Sequence, residues 1–216
     1  MAKKAAVLGA TGLVGRSLIQ ELLADERYEE VHIYARRSPE LKHSKLREHL
    51  GDLVEGSILE PAREQEHLYC AIGTTRAKTP ELTRYKAIDY GIPLRAAGLG
   101  KEGAMERFMV VSAIGADPGS RLFYPRIKGQ MEQDLRQLQL PALHIFQPAI
   151  ILGDRGEQRW AEAVGKVFFQ GIGPIIPRRY RAMPALRIAR AMKKAAFRDA
   201  ESRNWTVAEM EDLLAE

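Results

Sequence analysis

Three glycines, Gly9, Gly12 and Gly15, recur at three-residue spacing in VLGATGLVGRS. They lie between an apolar run ending in Val7-Leu8 and a helix-periodic stretch carrying Leu18, Ile19, Leu22 and Leu23. A strand, a tight turn and a helix in that order present unpaired N–H groups and a helix dipole to a phosphate. A nucleotide-triphosphate loop needs a first glycine, four residues, then Gly-Lys-Ser/Thr. Here Ala10 stands where that first glycine belongs and Arg16 where the lysine belongs. Glycines 9, 12 and 15 suit a dinucleotide turn instead: one for the bend, one for close approach of a pyrophosphate, one for packing helix on strand. A strand-to-helix turn with no ligand is the alternative.

The end of the next strand, about 20 residues on, decides the cofactor in such a fold. It reads VHIYARRSPE, with Arg36 and Arg37 where an acidic residue would take the ribose hydroxyls of NAD. Two guanidinium groups match a 2′-phosphate and stack on adenine, which favours NADP(H). Further along, Gly73-Thr74-Thr75 offers small residues and hydroxyls as a wall for a pyrophosphate or ribose. Ser112 ends a later strand, and Tyr124 and Lys128 follow at four-residue spacing, which puts both on one face of the helix expected there.

The elements that must hold these residues alternate. Apolar, β-rich runs occur at Ala5 to Leu8, Val31 to Tyr34, His67 to Ile72, Phe108 to Val111 and Leu143 to Phe146, with helical periodicity between them. That pattern predicts an α/β fold of Rossmann type, a doubly wound parallel sheet with helices on both faces and a small C-terminal substrate-side extension. The 216 residues, 45% hydrophobic and 28% charged, read as one NAD(P)-binding domain over 1–216. Residues 150–183 form a substrate-side loop or lid within it.

The same composition narrows the function classes. A single cysteine, Cys70, excludes an internal disulfide and a cysteine zinc site, and reads as packing near a strand end. The five histidines show no metal-ligand spacing, so no metal is expected. A net charge of +5 is spread among acidic neighbours without aromatic interleaving, so no nucleic-acid partner is expected. No run of 18 apolar residues appears and the N-terminus lacks a signal-peptide pattern, giving an expectation of no membrane and a cytoplasmic location.

Taken together, Gly9-x-x-Gly12-x-x-Gly15, Ser112 and Tyr124-x-x-x-Lys128 resemble the short-chain dehydrogenase/reductase superfamily in its extended or atypical branch. CAIGTTRAK, YPRIKGQME and FQPAIILGDR are similar to the Tat-interacting tumour-suppressor group and its bacterial relatives, over Ala5 to about Phe197. The resemblance implies Tyr124 as the proton donor or acceptor, with Lys128 lowering the proton affinity of the phenolate and holding the nicotinamide ribose. It implies Ser112 as the group that bonds the substrate oxygen. The cofactor site it implies takes Gly9, Thr11, Gly12, Leu13, Val14 and Gly15 from the first loop, and Arg36 and Arg37 after the second strand. Asp52 and Leu53, then Cys70, Gly73, Thr74 and Thr75, and finally Lys128, Pro148, Ala149 and Ile150 complete it. Two positions depart from the pattern: Asp89 stands where many relatives have a relay asparagine, and Gln147-Pro148-Ala149 where many read Arg-Pro-Gly.

The expected activity is hydride transfer to or from a small carbonyl or hydroxyl substrate by an NADP(H)-dependent oxidoreductase, as a monomer or homodimer. The competing reading is an NADPH-binding redox sensor or regulator with little turnover. In the remaining segment, Ile172, Ile175, Ile176 and Met183 suggest an apolar wall and Arg178, Arg179 and Arg181 a basic rim, with a surface loop as the alternative. Pro184 to Phe197 reads as an amphipathic helix, and Thr206-x-x-Glu209 as a capping box opening a last helix.

Overall fold

A computed structural model describes residues 2–153, 176–198 and 201–216. Its main element is a seven-stranded parallel sheet in the order β3-β2-β1-β4-β5-β6-β9. The strands are β1 (Lys3–Leu8), β2 (Tyr28–Ala35), β3 (Leu46–Leu50), β4 (His67–Cys70), β5 (Arg107–Val111), β6 (Leu143–Gln147) and β9 (Arg203–Thr206). β7 (Ile150–Leu152) and β8 (Ala182–Pro184) form a separate parallel pair. The helices are α1 (Leu13–Leu23), α2 (Leu82–Lys86), α3 (Ile92–Lys101), α4 (Phe123–Gln137), α5 (Ala185–Arg198) and α6 (Val207–Ala215). A π-helical turn, Ala87–Gly91, joins α2 to α3 without a break.

All five strands expected from sequence are present. Their residues are apolar nearly without interruption because both sheet faces are covered. α1, α5 and α6 cover one face around Val7, Phe146 and Trp205; α3, α4 and a 3-10 turn at Ser57–Glu64 cover the other around Leu8, Phe108 and Ile145. In α1 the spacing of Leu18, Ile19 and Leu22 turns all three into the first of these cores, each contributing about 1.5–3 kcal/mol. α5 presents a face of small residues, Ala185, Ala189, Ala191, Ala195 and Ala196, that packs on α1, while Arg190 and Lys193 reach Glu21 at 2.9 and 2.8 Å. It begins at Ala185, close to the expected start, and Thr206 and Glu209 close the predicted capping box before α6.

β3 and β9 were not expected. LREHL and RNWT lie at the two sheet edges, where half the side chains meet water and the apolar signature disappears. The expected lid is described only in part: Ile172 and Ile175 lie outside the described residues, whereas Met183 is buried in β8. The basic rim there is partly spent internally, since Arg178 pairs with Glu211 at 3.2 Å and Asp212 at 2.6 Å.

The chain runs from β1 outward to β2 and β3, then returns to β4 on the other side of β1. The carboxyl ends Leu8 and Cys70, paired in register, therefore flank the point where the winding reverses, the usual place for a ligand crevice.

Candidate active site

Each glycine of the first loop has its own steric reason. Gly9 sits at φ +88°, in the left-handed region, and a Cβ there would stand 2.6 Å from the Ala71 carbonyl oxygen beyond β4. A Cβ on Gly15 would fall 2.1 Å from the Gly9 carbonyl oxygen, so α1 reaches the strand end only because residue 15 has no side chain. Gly12, at φ −73°, is not strained; its amide donates to Gly9 at 2.8 Å, and a Cβ would meet only the carbonyl oxygens of Gly9 at 3.0 Å and Ala71 at 3.6 Å. No side chain caps α1, and its first turn, with Leu13, Val14 and Gly15, carries no acidic residue. Its positive end is left open to an anion.

A cleft of about 440 Å³ opens above this loop, lined by Gly9, Thr11, Gly12, Arg36, Asp52, Leu53, Gly73 and Thr74 among others. A basic recess adjoins it, formed by Thr11, Arg16, Arg36, Arg37 and Ser38. Of the lining residues that were not anticipated, Arg16, Tyr34 and Arg84 bear most on the site. Arg16, one position beyond Gly15, adds a third guanidinium to the recess; its place in the glycine loop was the available signal. Tyr34 lines the cleft with its hydroxyl donating to Gln65 at 2.9 Å and its ring stacked on His49 at 4.6 Å. Arg84, from α2, donates to Asp52 at 2.7 Å and holds that carboxyl below the usual carboxylate range. Nothing in the spacing of Arg84 announces this bond.

The second group lies at the ends of β4 and β5 and on α4. Ser112 follows β5, donates its amide to Phe146 at 2.7 Å, and keeps its hydroxyl buried with no hydrogen-bond partner among the described residues. Tyr124 stands in the first turn of α4 with 42% of its surface exposed, and Lys128 lies one turn deeper, 2% exposed. The Lys128 ammonium is 3.3 Å from Asp89 Oδ1 and 3.5 Å from the carbonyl oxygen of Val111, the neighbour of Ser112. Burial is the largest single influence and opposes its charge, but the facing Asp89 carboxylate together with Tyr124 and Cys70 more than offsets it, so the Lys128 pKa lies above the ordinary lysine value. Burial likewise pushes Asp89 up, against the pull of Lys128 and the Thr74 amide.

Two packing devices fix this helix. A Cβ on Gly129 would stand 2.2 Å from the Asp117 carbonyl carbon, so the loop after Ser112 lies directly on α4, where the Asp117 amide donates to Pro125. At Gln147 the departure from Arg-Pro-Gly is accommodated: its amide donates to both oxygens of buried Glu132 at 2.8 and 3.0 Å, and Arg136 supplies the positive charge at 3.0 Å.

Several expected residues do not line the cleft. Cys70 is fully buried at the end of β4, where burial pushes its thiol up to about 11, so it packs beneath the site. Val14 and Gly15 are also buried, Thr75 is exposed on the loop beyond Thr74, and Pro148, Ala149 and Ile150 follow β6, with the Pro148 carbonyl accepting from Ile114 at 3.0 Å.

Residues 5–109 match the sequence model of the NAD dependent epimerase/dehydratase family. The chain is 32% identical over 188 residues to protein FMP52, mitochondrial, of Debaryomyces hansenii, covering 82% of this chain and 80% of that protein. It is 29% identical over 194 residues to protein HTATIP2 of Rattus norvegicus, covering 88% and 79%. Among solved structures, UDP-N-acetylglucosamine 4-epimerase from Methanobrevibacter ruminantium M1 shares the fold with a TM-score of 0.71 at 14% identity, covering 95% of this chain and 76% of that one. The FMP52 name corrects the cytoplasmic expectation, because that relative is a mitochondrial protein. A lone buried thiol speaks only for a reducing compartment and does not separate one such compartment from another. Among the described residues no helix is long and apolar enough to cross a membrane.

Proposed function

The chain belongs to the extended short-chain dehydrogenase/reductase superfamily, in the group related to HTATIP2, and from that premise we propose that it is an NADP(H)-dependent oxidoreductase acting on a small carbonyl or hydroxyl compound. The observation that carries this reading is the Ser112 hydroxyl, buried with no partner among the described residues and next in sequence to Val111, whose carbonyl accepts from Lys128. A buried hydroxyl left unpaired costs about 1–3 kcal/mol, so its place is explained by a ligand oxygen that completes it. The glycine loop, which a single Cβ at residue 9 or 15 would obstruct, and the uncapped α1 fit a pyrophosphate. The recess of Arg16, Arg36 and Arg37 fits a 2′-phosphate.

In this reading the first loop and the arginine recess hold the dinucleotide, and Lys128 bonds its nicotinamide ribose. When bound, the nicotinamide ring supplies or accepts the hydride. Ser112 bonds the substrate oxygen and stabilises the charge that develops on it. Tyr124, half-exposed in the first turn of α4, gives a proton to that oxygen or takes one from it. Lys128, one turn away, favours the phenolate by its charge.

Thermal unfolding tests the cofactor. NADP(H) at about 100 times its dissociation constant should add roughly 2.7 kcal/mol, a midpoint rise of about 5–10 °C, and NAD(H) at the same concentration much less. Tyr124→Phe should keep that rise while carbonyl-dependent NADPH oxidation falls by about 10²–10⁴-fold. No rise with either nucleotide would overturn the reading.

A further inference from the structure

Asp89 is fully buried beside the site, and the π turn is what aims it there. α2 and α3 would run on as one regular helix, but Ala87–Gly91 inserts a wider turn, a form that recurs at functional positions. Its two oxygens then divide their work. Oδ2 accepts the Thr74 amide at 2.9 Å, and Thr74 lines the cleft; Oδ1 faces the Lys128 ammonium at 3.3 Å. Tyr85, in the preceding turn, donates to the Thr74 carbonyl at 3.0 Å, so one helix grips both backbone groups of that residue. Side-chain exposure is 3% for Lys128 and 1% for Asp89, so the contact is shielded from bulk solvent.

We infer that Asp89 is a positioning residue: by direct contact it keeps Lys128 charged and fixed, and it ties that placement to the Thr74 wall of the cleft. The role assigned to Lys128 rests on the oxidoreductase reading, but the contact itself does not. A buried ammonium deprived of its partner sheds its proton, and removing one member of a buried pair is costly. An asparagine at residue 89 would still accept the Thr74 amide while offering Lys128 no charge. The groups facing the ammonium are Asp89 from the π turn, Cys70 from β4 and Tyr124 from its own helix, and of these Asp89 exerts the largest attraction.

The test follows the ¹³Cε resonance of Lys128 in lysine-labelled protein without nucleotide, assigned by its loss in Lys128→Met. In the wild type it should hold its charged position to about pH 10, and in Asp89→Asn it should titrate at least one pH unit lower. A purely structural carboxylate would leave this titration where it was, and an unchanged curve overturns the inference. Should Asp89→Asn not fold, the double variant Asp89→Asn/Lys128→Met, which keeps an acceptor for the Thr74 amide, decides. Recovery of a cooperative unfolding transition supports the pair, because no charge is then stranded, and failure to recover overturns it. Both measurements are made on the free protein, so absence of NADP(H) binding would sink the cofactor reading and leave this one standing.

Discussion

Gly12→Ala and Gly15→Ala should separate ligand binding from folding, although the two glycines are one turn apart. At residue 15 the new methyl would be 2.1 Å from the Gly9 carbonyl oxygen, 2.8 Å from the carbon of that group and 3.1 Å from Ala10 Cα. Ordinary contact needs roughly 3.5 Å, so α1 must retreat from the strand end by about 1 Å against backbone that has no rotamer to give. Overpacking of this kind costs about 1–3 kcal/mol, and the helix preference of alanine over glycine returns less than about 1 kcal/mol. Taking the upper end of that cost, because the clash is with backbone, the net is about 2 kcal/mol, and at about 2–4 °C per kcal/mol for a chain of this size the Gly15→Ala midpoint should fall by roughly 4–8 °C. At residue 12 the backbone is unstrained and the methyl meets only two carbonyl oxygens, at 3.0 and 3.6 Å, so the free protein should stay within about 1 kcal/mol of wild type. The same methyl occupies the approach a pyrophosphate needs, and the midpoint rise with NADP(H) should be mostly lost. Differential scanning fluorimetry of the three proteins with and without nucleotide reads both effects. A Gly15→Ala midpoint equal to wild type, or a full NADP(H) rise in Gly12→Ala, would refute the steric reasoning.

Arg36→Ala combined with Arg37→Ala should weaken NADP(H) by about 10-fold or more and leave NAD(H) nearly unchanged, measured by fluorescence titration of the reduced cofactors. Burial holds the His67 pKa down to about 4, while its ring bonds the Tyr28 hydroxyl at 2.7 Å. Its stabilisation is therefore complete above the unfolded value near 6.5 and is lost as pH falls from there through 4, at most about 3 kcal/mol. Denaturant midpoints between pH 7.5 and 4.5 should decline, with a shallower decline in His67→Gln. Gln147→Leu leaves buried Glu132 with Arg136 as its remaining partner and should lower stability by about 1–3 kcal/mol in urea unfolding.

The parts of the fold that could be read in advance are those whose residue types are forced by burial or by backbone geometry. β1, β4 and β5 are covered on both faces, so their apolar runs admit few other elements, and Gly9 and Gly15 answer to contacts no other residue tolerates. Order and spacing put Ser112, Tyr124 and Lys128 forward as candidates. Asp89 was visible only as a departure, because a π turn changes which side chains face inward and leaves no periodic mark in the sequence. Arg84 reaches Asp52 from an element 32 positions away, and no local pattern records such a meeting. The edge strands were missed because water, not a core, chose half of their residues.

Those edges also limit how copies of the chain can associate. Leu46–Leu50 closes one side of the sheet with Arg47 and Glu48 exposed, and Arg203–Thr206 closes the other with Arg203 and Asn204 exposed. An incoming strand that sought the free N–H and C=O groups at either margin would have to desolvate charge to reach them. Charge at both margins of the seven-stranded sheet therefore disfavours edge-to-edge pairing there.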